Sequence, residues 1–262
     1  QELIVAVSIT LMAVSFIGIS LRMYARVAVL RKVFTDDALM LFGTITAFSL
    51  SACITTATYN GLGGHASQIT PDDLNALRKL AFASLLFYAV SSLLVKMSFL
   101  ILYLRLNPRP AMRAFVYLLM FFVGAQSIAF FVVQALSCMP FSFRPVGDGS
   151  IGRKCWSPET IQQSFNINGV IIAVIDTTLF SIPLYMLHGM QLPTRQKIAV
   201  GALFALGFLP IAAGALRCFY TWNAIQSDDI YYDLSEGGIF IQVELHLAIL
   251  CGSASTFKVL LK

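Results

Sequence analysis

Charge is what this chain has least of. Asp, Glu, Lys and Arg together make up 12% of its 262 residues, where a soluble domain carries roughly 25%. That shortage excludes an ordinary water-facing surface. Histidine is scarce too: His65, His188 and His246 fall at three different levels of the chain, so no metal-binding spacing exists and no metal is expected. No phosphate-binding glycine loop is present, because "NGLGGH" follows an apolar run and reads as a turn. No basic segment with a cleavage motif precedes the first apolar run, which is therefore read as a membrane helix and not as a signal peptide. The net charge of +5 and the pI near 9.0 do not call for nucleic acid, since the basic residues collect in short loops as membrane topology requires. The chain begins at Gln1 without Met and ends at Lys262 close behind a hydrophobic run, and it is expected to be a domain of a longer protein.

What the chain does have is apolar length. Hydrophobic residues account for 58% of it, and several runs approach or exceed the ~20 residues that span a bilayer. Helices are expected at 3–24, 37–59, 81–104, 113–137, 161–187, 197–223 and 237–259. The fold class is an all-α membrane protein, a single seven-transmembrane-helix bundle over residues 1–262. No repeat or internal domain boundary interrupts it.

Orientation follows from the loops. Arg22, Arg26, Arg31, Lys32, Arg105, Arg109, Arg113, Arg195, Lys197, Lys258 and Lys262 gather at one end, and Arg78, Lys79, Arg144, Arg153 and Lys154 at the other. The basic-rich end should face the cytoplasm, which puts the N-terminus outside and the C-terminus inside. Cys138 and Cys155 flank the fourth loop on the expected outer side, where disulfides form, and a bridge between them is expected. Cys53, Cys218 and Cys251 lie inside spans and read as apolar packing residues.

Charges inside the hydrocarbon are costly unless paired or hydrated, so they are site candidates by default. They are Lys96, Asp176, Arg217 and Glu244, with His246 near the last. At the helical rise, Lys96 and Asp176 both fall roughly 20 Å below the outer surface, and Arg217 and Glu244 both roughly 10 Å. Two ion pairs are expected, one between helices 3 and 5, the other between helices 6 and 7. Ser92, Lys96 and Tyr103 share a face of helix 3, and Thr44, Ser51, Thr55 and Thr58 form a hydroxyl stripe on helix 2. Glu244 and His246 point to nearly opposite faces of a regular helix 7. Asn166 and Asn168 sit in the outer turns of helix 5, where they are expected to line the mouth of a cavity. Asp36 and Asp37 open helix 2: Thr35 or Asp36 is expected to cap it, acids suit its positive end, and Arg22, Arg26, Arg31 and Lys32 lie on the same membrane face.

A retinal protein needs a Schiff-base lysine well inside helix 7. This helix offers only Lys258, at its end, so neither retinal nor any other cofactor is expected. Helix 3 ends in "YLRLNP" without an acid beside Arg105, and helix 7 lacks Asn-Pro-x-x-Tyr, which separates the chain from the large animal-type receptor class. It resembles instead the fungal integral membrane proteins with a "rhodopsin domain", which include receptor-like proteins of plant-pathogenic fungi and membrane proteins encoded in secondary-metabolite clusters. The resemblance covers nearly the whole chain. It is carried by "RMYARVAVLRKVFTDDALML", "YNGLGGH", "KMSFLILYLRLNP", the cysteines of the fourth loop, "DTTLFSIP", "QLPTRQKIAVGALFALG" and "ALR" in helix 6. It implies a seven-helix fold with an outer N-terminus. Where the family has Asn one turn before the helix 5 aspartate, this chain has Ile172.

The expected function is that of a receptor-like fungal membrane protein. It would bind an extracellular or lipophilic small-molecule cue in the outer half of the bundle, with Arg217, Glu244, Asn168 and His246 as candidate ligand contacts. The alternative is a membrane-embedded enzyme of cyclase or isomerase type acting on a lipophilic secondary metabolite, with Asp176 or Glu244 as catalytic acid. A passive scaffold is the third reading. Expected partners are membrane lipid, a small apolar ligand and a cytoplasmic signalling protein, with no nucleic acid. The plasma membrane or another membrane of the secretory pathway is the expected location.

Overall fold

The computed structural model describes residues 1–64, 70–106, 109–136, 138–139, 154–187, 194–226 and 230–257. Seven helices follow one another: α1 (Glu2–Tyr24), α2 (Thr35–Tyr59), α3 (Pro71–Leu106), α4 (Pro110–Leu136), α5 (Pro158–Leu187), α6 (Thr194–Gln226) and α7 (Ile230–Phe257). Between α4 and α5 a short antiparallel ladder joins β1 (Cys138–Met139) to β2 (Lys154–Cys155). Among the described residues, six segments are long and apolar enough to cross a membrane: Glu2–Val29, Thr35–Tyr59, Pro71–Arg105, Pro110–Gln134, Gln163–Pro183 and Tyr232–Ala254. The remaining helix, α6, runs for 33 residues.

Every helix begins before its expected start, and two begin well before it. Helix α3 was expected from residue 81 and starts at Pro71, because Thr70 starts it off: Asp73 N–H donates to Thr70 Oγ1 at 3.3 Å, and Thr70 Oγ1 donates to Asp73 Oδ2 at 2.6 Å. Proline at the first helical position and acids in the first turn complete that start signal. Helix α7 likewise begins at Ile230 and not at 237. Helix α1 continues as a π-turn over Ala25–Val29, and Arg31, at φ 50°, turns the chain towards α2.

The core forms two clusters. One gathers Ile4 and Ile19 of α1, Met40, Leu50 and Ile54 of α2, Tyr88 and Val95 of α3, and Leu245 and Ile249 of α7. The other gathers Leu100 and Tyr103 of α3, Val116 and Val123 of α4, and Ile175, Leu179 and Ile182 of α5. Helix α3 contributes to both. Helices α2 and α3 pack closely at Gly43, whose carbonyl accepts Ser91 Oγ at 2.7 Å, and a Cβ there would meet Val95 Cγ2 at 3.0 Å. Phe16, Ile17, Phe42, Ile45, Phe121, Ile128, Val174 and Phe208 point outwards. In water such a surface would drive association, whereas lipid solvates it.

Candidate functional site

Polar side chains enter the bundle at several levels. At the end where α2 begins, Arg22, Asp36 and Asp37 are all fully buried. Arg22 Nε donates to Asp37 Oδ1 at 2.9 Å, and its Nη2 lies 2.9 Å from Asp36 Oδ2. Arg26, one turn on, reaches Asp37 Oδ1 at 3.1 Å and Asp36 Oδ2 at 3.5 Å. Arg22 Nη1 donates to the α7 carbonyl of Gly252 at 2.7 Å, and Ser98 Oγ of α3 donates to the Asp36 carbonyl at 2.7 Å. The cluster therefore joins α1, α2, α3 and α7. The cap of α2 differs from expectation. Phe34, not Thr35 or Asp36, occupies the N-cap position, and Asp37 Oδ2 reaches back to accept the Phe34 N–H at 3.1 Å. Asp36 does not cap because the helix already begins at Thr35, which places it inside the first turn. Two guanidinium groups stand over the Phe34 ring, that of Arg105 3.3 Å and that of Arg26 5.5 Å from its centre.

Deeper in the bundle, Lys96 Nζ of α3 lies 2.7 Å from Asp176 Oδ1 of α5. Towards the other end, Arg217 Nε of α6 donates to Glu244 Oε2 of α7 at 2.8 Å, and Tyr88 Oη of α3 donates to Glu244 Oε1 at 2.7 Å. The Arg217 guanidinium also stands 5.2 Å from the centre of the Tyr88 ring. One carboxylate thus ties three helices together. The Glu244 carboxylate fits against Gly214, where a Cβ would come 3.3 Å from Oε2. Nη2 of Arg217 is buried and has no hydrogen-bond partner among the described residues. A buried donor left unpaired costs free energy of order 1–3 kcal/mol, so this atom marks where the group is incomplete.

His246 does not join that group. Its Nδ1 lies 2.8 Å from Ser15 Oγ of α1, its Nε2 3.0 Å from Ser51 Oγ of α2, and its ring stacks on Phe48. It faces α1 and α2, away from Glu244. Asn168 turns to α4, where its Oδ1 accepts Gln126 Nε2 at 2.6 Å. A cleft of about 680 Å³ opens between the start of α1 and the end of α2, lined by Val5, Ile9, Thr58, Tyr59 and Asp73 among others. Arg217, Glu244, Asn168 and His246 are not part of its lining.

Tyr88 is the member of the Arg217–Glu244 group that a search restricted to charges misses. The signal was present, since Tyr88 lies one turn before Ser92 and two before Lys96 on the same face of α3. Ser15 and Gln126 were missed as well, being neutral residues in apolar runs. Cys138 and Cys155 face each other across the β1–β2 ladder as backbone partners. Their side chains, with His65, His188 and Lys258, lie outside the described residues. Helix α7 carries no lysine from Ile230 to Phe257, so its residues do not fit a retinal Schiff base. Among the described residues, no group of three His, Cys, Asp or Glu side chains is placed to hold a metal ion.

Comparison with known proteins agrees with this architecture. The Fungal rhodopsin domain matches residues 21–262. A SAT4 family membrane protein of Emericella nidulans is 28% identical over 186 residues, 68% of this chain and 46% of the relative. Wortmanamides biosynthesis cluster protein C of Talaromyces wortmannii is 26% identical over 261 residues, covering 97% of this chain and 69% of the relative. Receptor GIN3 of Arthrobotrys oligospora is 25% identical over 179 residues, 64% of this chain and 39% of the receptor. The chain thus spans about half of the SAT4 relative and less of the receptor. No solved structure matches. The match over residues 21–262, on a bundle of seven helices, places this chain in the fungal rhodopsin domain family of integral membrane proteins.

Proposed function

We propose that the protein is a receptor-like fungal membrane protein whose bundle takes a small lipophilic cue at Arg217, Tyr88 and Glu244. The observation that carries this reading is the unpaired, buried Nη2 of Arg217. A donor held in hydrocarbon without a partner favours any apolar molecule that brings an acceptor to it. The charge of Arg217 is already offset by Glu244 at 2.8 Å, so a second anion would stand uncompensated. The cue is therefore a neutral molecule bearing a ketone, ester or amide carbonyl. The relative named as a receptor supports the reading. On this reading of the present chain, the basic-rich end faces the cytoplasm and meets a signalling partner, and the site of action is the plasma membrane or another membrane of the secretory pathway.

The test uses a diazirine-bearing long-chain ketone as photoprobe on the purified protein. Loss of one hydrogen bond to a charged donor lowers occupancy roughly tenfold. Labelling of α6 and α7 peptides should fall by about that factor in Arg217→Met/Glu244→Gln, which removes both charges together and so spares the fold. Equal labelling of both proteins sinks the site.

A second reading, a membrane enzyme on a lipophilic metabolite, draws on the relative named for the wortmanamide cluster. Both candidate acids are engaged, Asp176 by Lys96 and Glu244 by Arg217 and Tyr88. Metabolite profiles of strains carrying Glu244→Gln or Asp176→Asn decide it, and unchanged products in both dismiss it.

A further inference from the structure

On the opposite face of α7 from Glu244, the interface with α1 and α2 is polar through much of its depth. Ser15, Ser51 and His246 form the hydrogen-bonded set already described. Helices α2 and α7 run antiparallel, so one turn beyond Ser51 on α2 and one turn before His246 on α7 lead to the same level, nearer the cleft. The residues there are Thr55 and Gln242. Both carry a buried atom without a hydrogen-bond partner among the described residues, Thr55 Oγ1 and Gln242 Oε1. Gln242 is 0% exposed, as is Ser8, which lies two turns above Ser15 on α1.

Thr55 departs from its own helix. Thr44, Thr46, Ser49, Thr56 and Thr58 all return their hydroxyls to a carbonyl one turn back, and Ser51 bonds to His246. Thr55 does neither. Gln242 is held at one end only, through a long 3.5 Å contact from Nε2 to Gly238 O. Turning its amide over would set the oxygen against that carbonyl and leave the NH2 unpaired, so either orientation needs a guest. Above this level Thr58 lines the 680 Å³ cleft.

We propose that the α1–α2–α7 interface holds internal water at Thr55 and Gln242, fed from the cleft past Thr58 and ending on the Ser51–His246–Ser15 set. The guest is water because Gln242 Oε1 can only accept, the Thr55 hydroxyl can donate or accept, both atoms are buried, and one small neutral molecule that donates and accepts serves them both. A water at such a place makes two to four hydrogen bonds and is costly to remove.

The sign of a stability change tests this. If the two atoms were dry orphans, isosteric apolar replacement would leave stability unchanged or raise it. If they share water, Thr55→Val and Gln242→Met each lower Tm by roughly 2–4 °C, and the double variant loses less than the sum because the same water is lost once. X-ray radiolytic labelling of the unmodified protein gives an independent reading: His246, 0% exposed, should be oxidised although bulk solvent does not reach it. A rise in Tm, no change, an additive fall, or no labelling at His246 overturns the proposal.

Discussion

At the residue scale, the adjacent aspartates show how far a sequence can be read. Acids at a helix start, with arginines on the same membrane face, point to an ionic tie, and Asp36 and Asp37 lie within 3.5 Å of Arg22 and Arg26. The Gly252 carbonyl that Arg22 also grips was not legible, because a backbone acceptor has no signature in composition or spacing. Tyr88 was legible only to a reader who counts phenols among the polar groups of a span. Arg22 is buried completely, and removing it leaves two buried carboxylates with Arg26 alone. Breaking a buried pair in this way costs about 3–5 kcal/mol. Arg22→Met should therefore lower the unfolding temperature in detergent by on the order of ten degrees. Arg22→Met/Asp37→Asn, which removes a charge of each sign, should recover part of that loss. Equal melting of wild type and Arg22→Met would show that the cluster contributes nothing to stability.

At the element scale, the existence of each helix was written in its apolar run, while its ends were not. Hydrophobicity reports the segment that lipid covers. Helix α3 runs past that segment because Thr70, Pro71 and Asp73 form a start signal in polar sequence. The π-turn at Ala25–Val29 has no compositional mark at all, since it adds a residue to a turn without changing its character. Helix pairing was partly visible through the expected ion pairs, but the close approaches were not. Gly207 of α6 is the sharpest of these: a Cβ there would overlap the Phe180 ring of α5, and aromatic rings do not yield as the end of a methionine does. Gly207→Ala should push α5 and α6 apart and destabilise by about 1–3 kcal/mol, the usual range for overpacking. Adding Phe180→Ala should make the alanine tolerable, so that it costs less in that background than in wild type. Thermal melts of the four proteins measure the coupling, and strictly additive losses would rule the contact out as the cause.

At the scale of the whole molecule, seven apolar runs made the bundle legible, and the distribution of Lys and Arg carries the expected orientation. The charge rule acts through the loops during insertion, so it is a statement about the living membrane that helix packing does not contain. The fourth loop offers a second line of argument. Cys138 and Cys155 are directly opposed in an antiparallel ladder, a placement that brings Cα atoms to about 4.5–5.5 Å, inside the range a disulfide spans. A bridge there would form only on the oxidising side of the membrane, which is the side that the basic residues leave outside. Orientation and disulfide are thus one prediction with two readouts. Peptides carrying Cys138 and Cys155 should run as a linked species in non-reducing digests of protein taken from the fungal membrane, and separate on reduction. In sealed cells, a membrane-impermeant maleimide should label Asp72→Cys, at the exposed start of α3, and leave Arg31→Cys untouched. Labelling of Arg31→Cys in place of Asp72→Cys would invert the bundle and would remove the physical basis for the bridge along with it.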